Sequence, residues 1–77
     1  MSLRSDILDE LESETLTEHQ LVLRIYGDDF KNYPRHRTGW MKAVHIALLG
    51  LAKEGLIEVS KTKAGKLLAW RKENGED

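Results

Sequence analysis

The residues of this chain best suited to chemistry are lysines clustered near the C-terminus. Lys61, Lys63 and Lys66 belong to the stretch "KTKAGK", in which Gly65 favours a turn because glycine readily adopts a positive φ. A hairpin that only closes a core does not need cations at its tip. Ammonium groups held together on a turn can bind phosphates, and this is the chemistry that the segment predicts. The alternative is an edge hairpin whose lysines prevent aggregation.

Other reactive residue types occur without the spacing that metal binding or catalysis needs. His19, His36 and His45 include no pair at the i, i+4 spacing of a helical zinc motif, and the chain has no cysteine. No stretch resembles a nucleophile elbow or a pair of catalytic carboxylates. A chain of 77 residues also offers little room for a substrate pocket. We therefore expect neither an enzyme nor a metal or cofactor site.

The charge is near zero overall but divided along the chain. The net charge is -1, yet residues 1–30 carry two basic and eight acidic residues, and residues 31–77 carry ten basic and five acidic residues. This division predicts a C-terminal part that faces a polyanion and an acidic part turned away from it. The alternative is an ordinary surface with segregated charges, since nucleic-acid-binding domains more often have a clearly basic pI.

The length and composition predict one domain over 1–72, followed by a polar tail at 73–77. No apolar run approaches the roughly 18–20 residues that cross a membrane, and no signal peptide is visible. The lack of cysteine fits a reducing compartment. We expect a cytoplasmic protein that makes no membrane contact.

Two helices are predicted in the N-terminal half. Thr17, followed three residues later by Gln20, matches a capping box and predicts that a second helix begins there. The helix would continue over 21–26, although the β-branched and aromatic content of "LVLRIY" also suits a strand. Gly27 and Pro34 then indicate a loop over 27–37, with room for one helical turn around Phe30. A first amphipathic helix over about 3–13, which Ser2 can cap, is indicated by apolar residues at helical spacing: Leu3, Ile7, Leu8 and Leu11.

The third predicted helix, over 38–54, has the clearest pattern. Thr38 can cap its start, and Gly55 ends it. Ile46 and Leu48 fall at the margins of its apolar side. That side comprises Trp40, Ala43, Val44, Ala47, Gly50 and Leu51. The opposite side comprises Thr38, Lys42, His45 and Leu49.

Two alternating segments, "LIEVS" and "KLLAWR", predict the strands of a hairpin. Ile57 and Val59 share a face of the first strand, and Leu68 and Trp70 share a face of the second. We expect Trp70, like Trp40, to lie in the core.

This order of elements resembles the winged helix-turn-helix family of DNA-binding domains. The local match is "HIALLGLAKEGLIEV", in which Leu51, Gly55, Leu56 and Ile57 look like the turn from the recognition helix into the first wing strand. "LAWR" looks like the returning strand, and the likeness covers about residues 15–72. It implies an α+β, mainly α fold of three helices followed by a two-stranded hairpin wing, with Leu56 and Ile57 closing the core. The 27–37 segment departs from the family because it is longer than the usual turn.

The resemblance implies that the third helix enters the major groove of double-stranded DNA. The residues implicated there are Arg37, Thr38, Lys42 and His45, preceded by Arg35 and His36. The three hairpin lysines would bind the phosphate backbone, which supplies affinity more than specificity. The alternative for "RHR" is a solvated loop. The resemblance therefore implies that the protein is a small transcriptional regulator associated with the nucleoid.

The sequence is also compatible with three other kinds of interaction. Winged helices also serve as protein–protein interaction modules, and the acidic N-terminal third favours that reading. The first helix is a candidate homodimer interface, which would imply a palindromic site. Single-stranded nucleic acid is a weaker option, because it would need exposed aromatic residues.

Overall fold

A computed structural model describes residues 2–72, and the predicted tail at 73–77 lies outside them. The predicted α+β, mainly α class is confirmed. The three helices and two strands expected in detail are replaced by four α-helices, one 3-10 turn and three strands within the described residues. The helices are α1 (Leu3–Glu10), α2 (Glu18–Tyr26), α3 (Asp28–Asn32) and α4 (Arg37–Lys53), with the 3-10 turn at Pro34–His36. The strands are β1 (Leu16–Thr17), β2 (Ile57–Lys61) and β3 (Leu67–Arg71).

The three strands form one antiparallel sheet in the order β1-β3-β2. β2 and β3 are the predicted hairpin, with Val59 opposite Ala69. β1 was not predicted, because two residues are too few to show a period-2 pattern. Leu16 lies opposite Ala69, and Thr17 opposite Leu68, so the segment before α2 is tied to the centre of the sheet.

The caps of the first two helices form as predicted. The Ser2 hydroxyl accepts a hydrogen bond from the Ser5 N–H at 3.1 Å. Thr17 Oγ1 accepts from the Gln20 N–H at 3.1 Å, and Gln20 Oε1 accepts from the Thr17 N–H at 2.9 Å, which completes the capping box. α1 is shorter than expected and ends at Glu10.

The 27–37 segment is mostly helical rather than a loop. Gly27, with φ 58°, joins α2 directly to α3, and Pro34 opens the 3-10 turn that leads into α4. α4 consequently begins at Arg37. Thr38 lies inside its first turn and does not cap it, which corrects the sequence prediction. The N-cap is His36, whose side chain makes no capping hydrogen bond.

The core side of α4 is rotated from the one predicted. Val44, Leu48 and Leu51 are fully buried, so Leu48 is central rather than marginal. Ile46, the other residue placed at the margin, is 61% exposed. α4 contacts α1, α2 and β2, and these three neighbours decide which of its sides is buried. The remaining buried residues are Ile7, Leu11, Leu16, Leu21, Val22, Phe30, Ile57, Leu67 and Ala69.

Two further core predictions, Trp70 and Leu56, need correction, and that for Trp40 holds in part. Trp70 is half-buried in an open groove beside Glu12 and Glu58, because the inward side of β3 is that of Leu67 and Ala69. Leu56 is 45% exposed, so Ile57 closes the core alone. Trp40 is half-buried; its ring packs against the core and stacks on Tyr26, with ring centroids 4.5 Å apart.

Gly55 ends α4 as expected, with φ 81°. The Leu56 N–H donates to the Leu51 carbonyl at 3.1 Å and the Gly55 N–H donates to the Ala52 carbonyl at 3.0 Å. These two bonds define a Schellman motif, which requires a left-handed residue at the position of Gly55. The chain therefore reverses directly into β2.

We expect Leu48→Ala to lower the free energy of unfolding by about 2–5 kcal/mol, because it leaves a cavity among fully buried side chains. The matched control on the same helix is Ile46→Ala, which should change stability by less than about 0.5 kcal/mol. Urea unfolding followed by circular dichroism measures both. Equal losses would contradict the observed orientation of α4.

An ion pair fastens the segment after α1 to α2. Arg24 Nη1 lies 2.6 Å from Glu14 Oε2, and Arg24 Nη2 lies 3.0 Å from Glu14 Oε1. The hydrogen bond to the guanidinium holds the pKa of Glu14 below its usual value. The pair therefore stabilises the fold above the unfolded-state pKa of Glu14, near 4.5, and this contribution is lost as the pH falls through the lower folded-state pKa.

We accordingly expect Glu14→Gln to cause a small loss of stability at pH 7 that disappears in acid, below the folded-state pKa of Glu14. Urea unfolding of the two proteins across the acidic range measures this convergence. Glu12→Gln is the matched control, since Glu12 is a neighbouring exposed carboxylate without an ion pair among the described residues. A loss independent of pH would contradict the ion-pair explanation.

Candidate nucleic-acid interface

The hairpin and α4 meet at a cleft of about 360 Å³, which also reaches the start of α2. Two of the predicted hairpin residues, Lys61 and Lys66, line it together with His45 of α4. The structure therefore brings part of the predicted helix set and part of the predicted hairpin set to one surface. The full lining is Glu18, His19, Met41, His45, Lys61, Gly65, Lys66 and Leu67.

The tip of the hairpin is organised by Thr62. Its N–H donates to the Lys66 carbonyl at 2.8 Å, its carbonyl accepts from the Gly65 N–H at 2.9 Å, and its hydroxyl accepts from the Lys66 N–H at 3.1 Å. Gly65 takes φ 81°, as predicted. These bonds hold the backbone that carries Lys61, Lys63 and Lys66, all of which are exposed.

His45 is linked to α2 across the cleft. Its Nδ1 lies 2.6 Å from Glu18 Oε2, and the side chain of Glu18 is the more buried of the two. This contact orients the imidazole and leaves Nε2 as the ring nitrogen available to another partner. Glu18 also places one carboxylate among the cations of the cleft, so the cleft has mixed charge.

Arg37 binds within the protein. Its Nε donates to the Phe30 carbonyl and its Nη2 to the Lys31 carbonyl, the latter at 3.1 Å. Its guanidinium carbon lies 5.0 Å from the centroid of the Phe30 ring. Arg37 therefore holds the end of α3 against the start of α4, and two of its donor groups are already used.

The remaining predicted residues are exposed. Thr38 and Lys42 lie one turn apart on α4, away from the buried side of that helix. Arg35 is exposed in the 3-10 turn, and Lys63 is exposed at the tip of the hairpin. None of these four residues lines the cleft.

α4 contains no aspartate or glutamate in its 17 residues, although the chain has 13 acidic residues in total. Among residues 2–72, the salt bridges involve Arg4, Arg24 and His45, and none involves Lys42 or a hairpin lysine. The arginines near the N-terminus thus neutralise nearby acids, while the lysines of α4 and the hairpin have no carboxylate partner within that range.

Sequence reasoning assigned no role to four residues of the cleft, the hairpin tip and the exposed side of α4. Met41 and Glu18 line the cleft, Thr62 shapes the hairpin tip, and Ile46 is the most exposed large apolar residue of α4. A signal for Thr62 was available, since threonine often bonds the backbone of a turn. Glu18 had no such signal, because it lies 27 positions from His45.

Within residues 2–72, no helix combines the length and the apolar character that a bilayer crossing requires.

Comparisons with protein-family models, with curated proteins and with solved structures found no match to this chain. The functional proposal therefore depends on the residues and geometry described above.

We expect Arg37→Lys to lower the free energy of unfolding by about 1–2 kcal/mol, because one ammonium group cannot serve both carbonyls and also lie over the Phe30 ring. Arg35→Lys, the same change at an exposed neighbour, should be close to neutral. Thermal unfolding at neutral pH compares the two variants. If Arg37→Lys were as stable as Arg35→Lys, the proposed role of Arg37 in joining α3 to α4 would be wrong.

Proposed function

We propose that this protein is a winged-helix DNA-binding protein, with α4 in the major groove and the β2–β3 hairpin on the phosphate backbone. It is best understood as a small transcriptional regulator. The observation that carries the proposal is the shared cleft, which is lined by Lys61 and Lys66 of the hairpin and by Met41 and His45 of α4. The proposal is of a binding protein and includes no catalytic step.

The order of elements supports the proposal. A long helix is followed by a Schellman turn and then directly by a hairpin, as the resemblance to winged helices implies. Rigid attachment matters because a groove-reading helix and a backbone-gripping hairpin must meet the same duplex at once. β1 supports this attachment, since it pairs with β3 and joins the hairpin to the helical layer.

The distribution of charge supports it as well. Phosphate binding requires cations that are not already neutralised, and the lysines of α4 and the hairpin meet this condition within residues 2–72. Lys42 lies on the exposed side of α4 and is suited to a phosphate or a guanine. Arg37 is a weaker candidate for base contact than Arg35, because Arg37 is bound to the Phe30 and Lys31 carbonyls.

Fluorescence anisotropy with a labelled duplex, measured over a range of salt concentrations, tests the proposal. We expect the logarithm of the affinity to fall linearly with the logarithm of the salt concentration, with a slope of about -0.9 for each phosphate contact. Lys61→Ala/Lys66→Ala should weaken binding and reduce the steepness of that slope by up to about 1.8.

The matched control is Lys72→Ala, which removes an exposed lysine that lines a different groove beside Trp70. It should leave both affinity and slope nearly unchanged. Equal effects at Lys72 and at the hairpin would indicate non-specific attraction and not a hairpin contact. No binding at about 50 mM salt with micromolar protein would contradict the proposal.

A protein–protein interaction module is the second candidate, and the exposed apolar side chains of Ile46, Leu49 and Leu56 favour it.

The homodimer interface expected on the first helix has fewer exposed apolar residues than the sequence indicated. Ile7 and Leu11 are buried within one chain. A homodimer through α1 would have to use the exposed polar side of that helix, and sedimentation at several protein concentrations would detect it.

A further inference from the structure

The exposed side of α4 carries two large apolar residues that the core does not use. Ile46 is 61% exposed and Leu49 is 46% exposed. They lie three positions apart and therefore neighbour each other on the helix surface, opposite the buried Val44 and Leu48. Neither belongs to the buried core, so both side chains are available to a partner of α4.

Lysines lie at both ends of this apolar pair. Lys42, Ile46, Leu49 and Lys53 follow one another at intervals of four, three and four residues, which places them in one strip along the helix. At 1.5 Å per residue, the two lysines are separated by about 16 Å. The major groove is about 12 Å wide, so cations at this separation can reach phosphates on both walls while the apolar pair lies between them.

We propose that Ile46 and Leu49 contact the 5-methyl groups of thymine, so that the protein prefers a site containing A·T pairs. The inference rests on the proposed DNA-binding function and specifies the class of site. The thymine methyl is the apolar group that base pairs present in the major groove, and apolar side chains are its natural partners. Thr38 and Gly39, which are exposed in the first turn of α4 before the strip, are small enough to let the helix approach the bases.

The charges of the strip disfavour a second copy of this chain as its occupant. Two such strips packed against each other would bring Lys42 and Lys53 close to the lysines of the partner copy. α4 offers no carboxylate to neutralise them. The strip is therefore suited to a negatively charged partner with apolar groups at its centre, and a thymine-containing groove has both properties.

The test compares an alternating adenine–thymine duplex with the same duplex in which uracil replaces thymine. Uracil lacks only the 5-methyl group. Because burying one methyl group contributes about fourfold in affinity, we expect the thymine duplex to bind about 4- to 15-fold more tightly if one or two methyls are contacted. Anisotropy titrations at one fixed low salt concentration measure the ratio.

The variant Ile46→Ala/Leu49→Ala should bind both duplexes with nearly equal affinity. Lys42→Ala, the matched control, should weaken binding to both duplexes by the same factor and keep the thymine preference. Ile46 and Leu49 are outside the core, so the variant should fold, and its circular dichroism spectrum verifies this. A guanine–cytosine duplex with and without 5-methylcytosine provides a second measurement, in which the methylated duplex should bind more tightly.

The binding measurements distinguish a wrong methyl contact from a wrong DNA-binding function. Salt-dependent binding that is equal for thymine and uracil, or a thymine preference that survives in Ile46→Ala/Leu49→Ala, would overturn the methyl contact and leave DNA binding intact. No binding to either duplex would overturn both proposals. The exposed pair would then be assigned to a protein partner, as the second candidate function requires.

Discussion

The burial of one side of α4 is the constraint on which the rest of this structure depends. Val44, Leu48 and Leu51 are completely inaccessible, and they contact a core built from α1, α2 and the sheet. A chain of this size buries only about 60% of its unfolded surface, so a helix with three fully buried side chains contributes a large part of the available hydrophobic stabilisation. Once this side is fixed, the rotation of α4 is fixed, and Lys42 and Ile46 must face outwards.

The hairpin owes its position to the same core. Ile57 at the start of β2, together with Leu67 and Ala69 of β3, places the inner side of the hairpin against the helices. Gly55 sets the direction of the chain between α4 and β2 through its left-handed conformation. Because these connections are short and hydrogen-bonded, Lys61 and Lys66 of the hairpin are held across a cleft from α4.

Charge is organised by the fold as well as by the sequence. Arg24 pairs with Glu14 inside the acidic N-terminal part, and Arg4 pairs with Glu54 at the C-terminal end of α4, so both N-terminal arginines are engaged with carboxylates. The basic residues of α4 and the hairpin lack such partners among the described residues, with His45 as the exception. A protein with a net charge of -1 can in this way present a surface of local positive charge, which is the property that the proposed function needs.

The features that the sequence determined by itself are local. The capping box of Thr17 and Gln20 and the glycine at the end of α4 could be predicted because the groups that interact are at most five residues apart. The hairpin and the mainly helical class followed from apolar periodicity in the same way. The lysine cluster at the turn of the hairpin, with Gly65 in a left-handed conformation, was also readable from neighbouring residues alone.

Only the tertiary structure decided which residues of each element are buried, bound or free. A helical wheel could not separate Leu48 from Ile46, because both fall at the margin of the apolar side and their fates depend on where α1, α2 and β2 pack. The sequence indicated that Arg37 is a free cation, but its guanidinium donates hydrogen bonds to the Phe30 and Lys31 carbonyls of α3. The contact of His45 with Glu18 and the pairing of Leu16 with β3 join residues distant in sequence. Such contacts leave no local pattern, since they arise only when separate elements are packed together.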